Sequence, residues 1–348
     1  MSKTIKLAVL KGDGIGPEVV DATLRVLDAV QDSVKGLEIK YEFADAGYYC
    51  IAKYGTNLPR ETIEVLKKTD CVLKGPMTTP EEEGAPPSVA VQIRKLFDLY
   101  ANIRPAKVYP RTNPIREDID LVIVRENTEG LYAGIELKLP DAAVAMRVIT
   151  KKGSERIGRI ALELAKNRKK HLTIVHKANI LRLTDGLFKN TIYEIAKKDF
   201  PEVQVDDAHI DIMTANLIKR PHEYDVVVAE NMFGDILSDE AAHVAGGIGL
   251  AAAANIGENY AMFEPVHGSA PKYTGKNVVN PIATILSMKM MFEWFKLNSV
   301  ANLIDNAVIE VLKEGKTLTY DLGGSAKTYE VADSIAKKVG ELANLIKL

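Results

Sequence analysis

The sequence predicts an α/β protein built on a largely parallel sheet. Apolar runs of strand length recur along the chain, and helical patterns of apolar residues fill most gaps between them. One stretch, Leu131 to Thr150, departs from that alternation and reads as a β arm.

Ile5 to Leu10 is the first apolar run. Lys11-Gly12-Asp13-Gly14-Ile15-Gly16-Pro17-Glu18 ends it, and Val19, Val20, Thr23, Leu24, Val26, Leu27 and Val30 follow at helical spacing. Pro17 suits a first turn, where its missing N–H is not needed. Further strands are expected at Cys71–Lys74, Leu121–Val124, Leu172–His176 and Val226–Ala229. Helices are expected at Arg60–Lys68, Ser88–Leu99, Ser154–Asn167, Asp185–Asp199 and Asp239–Ala245. In the arm, Tyr132, Ile135, Leu137, Val144, Met146, Val148 and Ile149 form short runs around Pro140-Asp141, a pattern suited to pairing with a second subunit. The C-terminal third returns to helices at Pro281–Lys296, Ala301–Lys313 and Glu330–Ile346. Val244 to Ile256 reads as a packed helix and loop, short of the roughly 18 residues a membrane span needs.

At 348 residues the chain has length for two domains or one large one. With 47% apolar and 26% charged residues, the composition is that of a soluble globular protein. Its 45 basic and 47 acidic residues argue against a general nucleic-acid binder, while leaving room for a local basic pocket. Cys50 and Cys71 form neither a CxxC pair nor a disulfide framework, so a reducing cytoplasm is the expected setting. The apolar run at the N-terminus is too short for a signal peptide.

The loop Gly12-Asp13-Gly14-Ile15-Gly16 invites a dinucleotide-binding reading. That fingerprint needs a third glycine two residues beyond the second pair and an acid at the end of the next strand. Pro17 and Glu18 occupy the critical turn, and Asp21 and Asp28 lie on the helix itself. A tight strand-to-helix turn packed near a cleft accounts better for the loop.

Gly234-Asp235-Ile236-Leu237-Ser238-Asp239-Glu240 places two acids four apart, on one face of a helix. Such a pair suits Mg²⁺ or Mn²⁺, with Asp211 a third oxygen donor from a separate segment. The ordinary alternative is a pair of solvated acids at a helix N-terminus. Arg94, Arg104 and Arg125 each end or follow an apolar run. Converging, their forks would hold a di- or tricarboxylate; singly, each reads as an ion-pair partner. Lys177 ends another apolar run and is a candidate base, and Tyr132 at the start of the arm is a candidate proton donor. Taken alone, each is more often a structural residue.

Together these segments resemble the β-decarboxylating dehydrogenases, that is, the isocitrate, homoisocitrate and 3-isopropylmalate dehydrogenases. The resemblance runs over nearly the whole chain and in order. It is carried by Gly12–Glu18, Asp98–Pro105, Val124–Tyr132, His176–Asn179, Asn231–Asp239 and Phe263–Pro271. It implies a non-Rossmann fold with a large domain from residues 1–99 and 247–348. A small domain from 100–246 would carry the clasp arm at about 131–150. It also implies a homodimer with shared active sites, in which one chain's Lys177 and Asp211 complete the other's cleft. Asp211, Asp235 and Asp239 would hold the metal. The implied substrate contacts are Ser88, Arg94, Arg104, Arg125, Thr78 and Asn179. The implied cofactor contacts are Thr79, His267, Gly268, Lys272, Tyr273, Asn280 and Tyr320.

The family's NAD users resemble one another in carrying Asp and an aliphatic residue after the His-Gly-Ser-Ala-Pro run. This chain has Lys272-Tyr273 there, similar to the NADP-using isocitrate enzymes, and Tyr320 matches the same pattern. Gly324 stands where those enzymes carry an arginine. NADP is therefore expected, with NAD possible. Ser88 and Lys74-Gly75-Pro76-Met77-Thr78-Thr79 resemble the isocitrate subgroup. Ala90 replaces an asparagine of that subgroup and, with Val91, suits an isopropyl group or longer chain. Isocitrate is the expected substrate, with 3-isopropylmalate or homoisocitrate the alternative. Retention of Lys177, Tyr132, Asp211, Asp235 and Asp239 argues against a silent regulatory subunit.

Overall fold

Strands buried on both faces must be apolar throughout, and the runs read from the sequence are interior strands of one sheet. The structure, a computed structural model, describes residues 3–343. In chain order its strands are β1 (Lys3–Leu10), β2 (Leu37–Phe43), β3 (Cys71–Lys74), β4 (Ala101–Lys107), β5 (Asp120–Glu126) and β6 (Gly130–Lys138). Then come β7 (Ala143–Val148), β8 (His171–His176), β9 (Gln204–His209), β10 (Val226–Ala229), β11 (Ala252–Ile256) and β12 (Ala261–Pro265). Ten of them form one sheet in the order β2-β1-β3-β12-β11-β4-β5-β10-β8-β9. Among the described residues six of its nine pairings are parallel; the antiparallel ones are β12–β11, β11–β4 and β4–β5. The mixed α/β architecture is the one the sequence leads one to expect.

The sheet has two halves that meet at the β11–β4 junction, where only Ala254, Asn255 and Ile256 register with Ile103, Asn102 and Ala101. On one side, β1, β3 and β12 pack with the helix Gly16–Ser33 and the C-terminal helices. The core there includes Ile5, Leu27, Phe263, Ile285, Leu303 and Ile335. On the other side, β5, β8 and β10 are sandwiched between a core holding Ile157, Leu162 and Ile192 and one holding Met213, Leu217 and Leu237.

Helix limits follow local stops. Arg60–Lys68 lies where expected. Val89–Leu96 ends before Leu99, because Asp98 takes a φ of +47° that a helix cannot continue through. The expected helix Asp239–Ala245 is longer, Asn231–Val244, because Glu230 caps it by accepting the Phe233 N–H. The last helix is Thr328–Ala343, and the final expected residues, 344–346, lie outside the described ones.

The stretch Val244 to Ile256 corrects the sequence reading. The helix stops at Val244, Gly246 and Gly247 take positive φ, and Ala252–Ile256 is strand β11 rather than helix or loop. Three consecutive alanines carry no strand preference of their own. Pairing with β4 and β12 overrides it, and Ala252 and Ala254 are buried in the same core as Leu286 and Met290.

The arm is an antiparallel hairpin, β6 with β7, pairing Ile135 with Met146 and Leu137 with Val144. All four of those side chains are exposed. No helix among the described residues is long and apolar enough to cross a membrane. Phe263 is fully buried and sits edge-on to Trp294 at 6.4 Å. Phe263→Ala should therefore destabilise the chain by about 3–5 kcal/mol in denaturant unfolding. A loss under about 1 kcal/mol would mean that the site collapses around the gap.

Candidate active site

The apolar run of β5 ends in Arg125, whose guanidinium is buried where the strand meets the helix Asn231–Val244. Gly234 makes that approach possible, since a Cβ there would lie 2.7 Å from the Cβ of Arg125. Asn231 accepts from Arg125 Nε and Nη2 at 3.0 and 2.8 Å, and Arg125 Nη1 pairs with Asp235. Arg104, on β4, donates to Ser238 Oγ at 2.8 Å and lies 3.1 Å from Asp235 and 3.3 Å from Asp239. Arg94, from the helix Val89–Leu96, donates to Asn255 and to Glu264, both at 3.0 Å.

These three arginines feel one another. Burial first, and then the charges of Arg104 and Arg94, push the Arg125 guanidinium down to about 10. Glu264 balances the other side of the cleft. It pairs with Lys74 at 2.8 Å as well as with Arg94, and Asn255 donates to it at 2.9 Å. Burial alone would raise the Glu264 carboxyl, but Lys74 and Arg94 outweigh it and hold the group far below its ordinary range. Asp235 is likewise lowered, with Arg125 and Arg104 overcoming burial, whereas burial dominates at Asp239 and raises it.

Asp235 and Asp239 are not acids at a helix N-terminus. They sit one turn apart within the helix, facing Arg104, so the solvated-pair alternative does not describe them. Tyr132 joins them: its hydroxyl donates to Asp235 at 2.8 Å, and the Arg125 guanidinium lies 5.0 Å from its ring centre. Burial and the Asp235 charge raise the phenol, which keeps it protonated at neutral pH. Two carboxylates one turn apart are oxygen donors of the kind Mg²⁺ and Mn²⁺ take. Among the described residues, however, no three acidic, histidine or cysteine side chains come together as a metal cage.

The missing third acid is accounted for. Asp211 lies with Lys177, whose Nζ donates to it at 2.6 Å, and both are away from the arginine cleft. Asn179 is exposed in the same turn. One chain therefore gathers Arg94, Arg104, Arg125, Tyr132, Asp235 and Asp239, and holds Lys177, Asn179 and Asp211 elsewhere.

A cavity of about 170 Å³ opens from the cleft and brings Ser88, Ala90, Arg94 and Arg104 together with His267 and Gly268. Ser88 precedes the helix but makes no capping hydrogen bond, so its hydroxyl is unspent. His267 Nε2 is buried without a hydrogen-bond partner, and a Cβ at Gly268 would meet nothing within 4 Å. An orphaned donor or acceptor beside an open backbone is what a ligand-holding loop should show. Thr78 is tied in by Asp13, which accepts its N–H at 2.9 Å, and by Ser269, whose hydroxyl is 2.6 Å from its own. Thr79 is exposed next to it.

Farther along the same edge, Tyr273 stacks on Tyr320 with ring centres 5.9 Å apart, and Lys272 Nζ lies 5.0 Å from the Tyr273 ring centre. The Tyr320 hydrogen bond and the Lys272 charge lower the Tyr273 phenol. Asn280 sits behind them, donating to Asp321 at 3.0 Å. A second cavity, about 770 Å³, lies beside Ile103, Val122, Ala254 and Trp294 and is lined by none of the catalytic, substrate, cofactor or metal candidates named from the sequence.

A model of the isocitrate/isopropylmalate dehydrogenase family matches residues 6–335. The chain belongs to that family. It is 47% identical over 342 residues to the 3-isopropylmalate/3-methylmalate dehydrogenase of Methanocaldococcus jannaschii, covering 97% of this chain and 99% of that one. It is 45% identical over 339 residues to the isocitrate/homoisocitrate dehydrogenase of Thermus thermophilus, again with 97% and 99% covered. Among solved structures, the isocitrate dehydrogenase of Methylococcus capsulatus superposes with a TM-score of 0.91 at 42% identity, covering 97% of this chain and 99% of that one. As a member of this family the chain is a decarboxylating hydroxy-acid dehydrogenase.

The sequence reading gave no role to Glu264, Asn231 or Asn255, although the first two stand inside the motifs that carry the resemblance. The signal for Glu264 was present: a lone acid inside the apolar run Ala261–Pro265 must have a buried partner. Its pairing makes a prediction. Because the folded carboxyl lies below the unfolded value of 4.5, its stabilisation is complete above that pH and lost as pH falls through the folded value. Glu264→Gln should cost about 3–5 kcal/mol at pH 7 and flatten the acid limb of the stability curve. Parallel acid limbs for the two proteins would contradict this.

Proposed function

We infer that the chain oxidises and decarboxylates a 3-alkylmalate, with 3-isopropylmalate foremost, and reduces a nicotinamide cofactor. The observation carrying this is the composition of the cleft. Three buried arginines face it, and in the adjoining cavity, which Arg94 and Arg104 line together with Ser88, Glu264 and His267, the side chains Ala90, Met77, Pro76 and Val266 supply an alkyl surface beside the charges. Lys74, also on the wall of that cavity, is already spent on Glu264. Such a site favours two carboxylates at one end and an alkyl group at the other. The relative that is 47% identical, named for 3-isopropylmalate and 3-methylmalate, agrees with this reading.

Arg94, Arg104 and Arg125 would clamp the two carboxylates and so fix the hydroxyl carbon. Asp235 and Asp239, with Asp211 of the partner subunit, would hold Mg²⁺ or Mn²⁺, and His267, Gly268 and the Thr78–Thr79 turn would hold the cofactor. What these groups supply when bound is hydride acceptance by the nicotinamide and Lewis acidity from the cation. Lys177 of the partner subunit would take the hydroxyl proton. Loss of CO₂ leaves electrons on the adjacent carbon, and the Tyr132 O–H donates the proton that completes the product.

The homodimer is part of the proposal. Leu183 and Ile180, close to Lys177, and Ile212, next to Asp211, are exposed. So is Ile236, next to Asp235. Alkyl groups left in water beside both halves of a divided site are suited to closing it against a second copy.

A second substrate reading rests on Ser88. Its free hydroxyl can donate to a distal carboxylate, which would favour isocitrate or homoisocitrate. For the cofactor, the cations Lys272 and Lys276 around Tyr273, with Tyr320 stacked on it, favour the 2′-phosphate of NADP, and NAD is the alternative.

Turnover measured with 3-isopropylmalate, homoisocitrate and isocitrate, each with NADP or NAD and with Mg²⁺ or chelator, tests both assignments. The highest kcat/KM is expected with 3-isopropylmalate, and chelator should abolish it. Ser88→Ala should then change that value less than about threefold, whereas a loss of about tenfold or more with isocitrate would mark Ser88 as a carboxylate donor. Lys272→Asp with Tyr273→Ile should lower the NADP/NAD preference by about tenfold or more. An unchanged ratio would overturn the NADP assignment.

A further inference from the structure

Arg147 lies on β7, on the hairpin otherwise notable for its exposed alkyl groups, yet its own side chain is largely buried. It faces two carboxylates that are almost wholly shielded from water. Nη2 is 3.0 Å from Asp185 Oδ1 and 3.3 Å from Glu230 Oε1, and the guanidinium lies 4.5 Å from the ring centre of Phe233. One buried cation thus serves two buried acids. The pairing is one of proximity, because Arg147 Nε and Nη2 and Glu230 Oε2 all lack an aligned hydrogen-bond partner. Burial accordingly raises the Glu230 carboxyl even with Arg147 beside it.

What the two acids do with their other oxygens and bonds gives the cluster its meaning. Asp185 Oδ2 accepts the backbone N–H of Lys177 at 2.6 Å, at the start of the turn that carries the candidate base. Glu230 Oε1 accepts the N–H of Phe233 at 2.8 Å and so starts the helix that carries Asp235 and Asp239. Glu230 also meets the foot of the arm: a Cβ at Gly130 would lie 2.7 Å from Glu230 Oε2, two residues before Tyr132. Three segments bearing the proton-transfer and metal-binding side chains converge on this ion cluster, and none of its members touches the cleft.

We propose that Arg147 is a positioning residue that locks the Lys177 turn to the Asp235–Asp239 helix through Asp185 and Glu230. In the dimer proposed above, Lys177 serves the partner's cleft while Asp235 and Asp239 serve the chain's own. The cluster then joins two active sites through one chain, and a shift of either half-site is transmitted to the other. Asp185 and Glu230 repel each other once the guanidinium is gone, and neither can be solvated where it lies. Relief requires the two acids to part, which loosens the backbone N–H that each of them accepts. Arg147→Lys keeps a charge between the two acids but loses the planar fork, so it should hold both of them, each more weakly.

This inference rests on the proposed activity, so its test has one readout that needs no turnover. Amide hydrogen exchange is measured on the dimer of Arg147→Met, Arg147→Lys and the unmutated chain. In Arg147→Met, protection of the Lys177 and Phe233 amides should fall together by about tenfold or more. The control amides of Ile285 and Leu303, in the opposite core, should stay as protected as before. With the best substrate, kcat should fall by about tenfold or more while KM moves less than about threefold, because the arginines that bind carboxylates are untouched. Arg147→Lys should recover part of both effects. Wild-type protection at Lys177 and Phe233 in the methionine variant would overturn the proposal, as would loss confined to one of them or a uniform loss across all four amides. Should Arg147→Met not fold, Arg147→Lys is read by the same criteria. Absence of turnover in the unmutated chain would count against the proposed activity alone and leave the exchange result to decide the lock.

Discussion

Three guanidinium groups buried around one cleft set the terms for everything near them. Each is nearly inaccessible to water, and an arginine cannot escape by losing its proton, so the fold must supply acceptors. It does so unequally. Glu264 and Asn255 engage Arg94 on two of its nitrogens, and Asn231 takes two donors of Arg125. Asn102 and Ser238 accept from Arg104, and Asp235 and Asp239, half-open to solvent, lie against Arg104 and Arg125. The first set is built into strands and helix starts and cannot easily leave. The second lies on a face that a cation and a dianionic ligand would rearrange, so the ligand-free pairing holds the arginines in place without committing them.

This distinction also explains which parts of the site could be read from the chain. Arg125 and Lys177 were visible because a charge that terminates an apolar run is anomalous wherever the run forms a strand. Asp235 and Asp239 were visible from their spacing, but spacing could not tell a metal pair from acids at a helix end. The fold decided against the helix-end alternative by starting the helix at Asn231, four residues before Asp235. Glu264, Asn231 and Asn255 were overlooked because their roles depend on residues more than a hundred positions away. No local pattern records a partner such as Arg94 for Asn255.

The fold shows the same division. Runs rich in valine and isoleucine, such as Leu172–His176 and Val226–Ala229, announced their strands. β11 did not, because Ala252, Ala253 and Ala254 lack strand preference, and the strand exists only through its antiparallel neighbours. That unannounced strand is the junction between the halves of the sheet, and it places Asn255 between Arg94 and Asn127, to which it hydrogen-bonds at 3.0 Å each. β11 hydrogen-bonds to β12 on one side and β4 on the other, and Asn255 is the buried polar side chain it carries between them. A strand that the sequence did not announce therefore supports one of the three cleft arginines.

The glycine loop is a familiar pattern serving another end. Gly14 has φ +58° and packs so tightly on the Ser269 carbonyl that a Cβ would lie 2.0 Å from its oxygen. The loop's working side chain is Asp13, which accepts the backbone N–H groups of Tyr48, Tyr49 and Thr78. Its carboxylate binds three backbone donors of the protein itself, so the turn is spent on holding other loops rather than on cradling a phosphate. Ile15 N–H donates to Ser269 O at 2.9 Å, and the Thr78 and Ser269 hydroxyls meet at 2.6 Å. In this chain the glycines bring the Thr78 turn and the His267–Ser269 segment together, and those two segments, not the glycine loop, are left with the open surface and the orphaned imidazole nitrogen that a cofactor would meet.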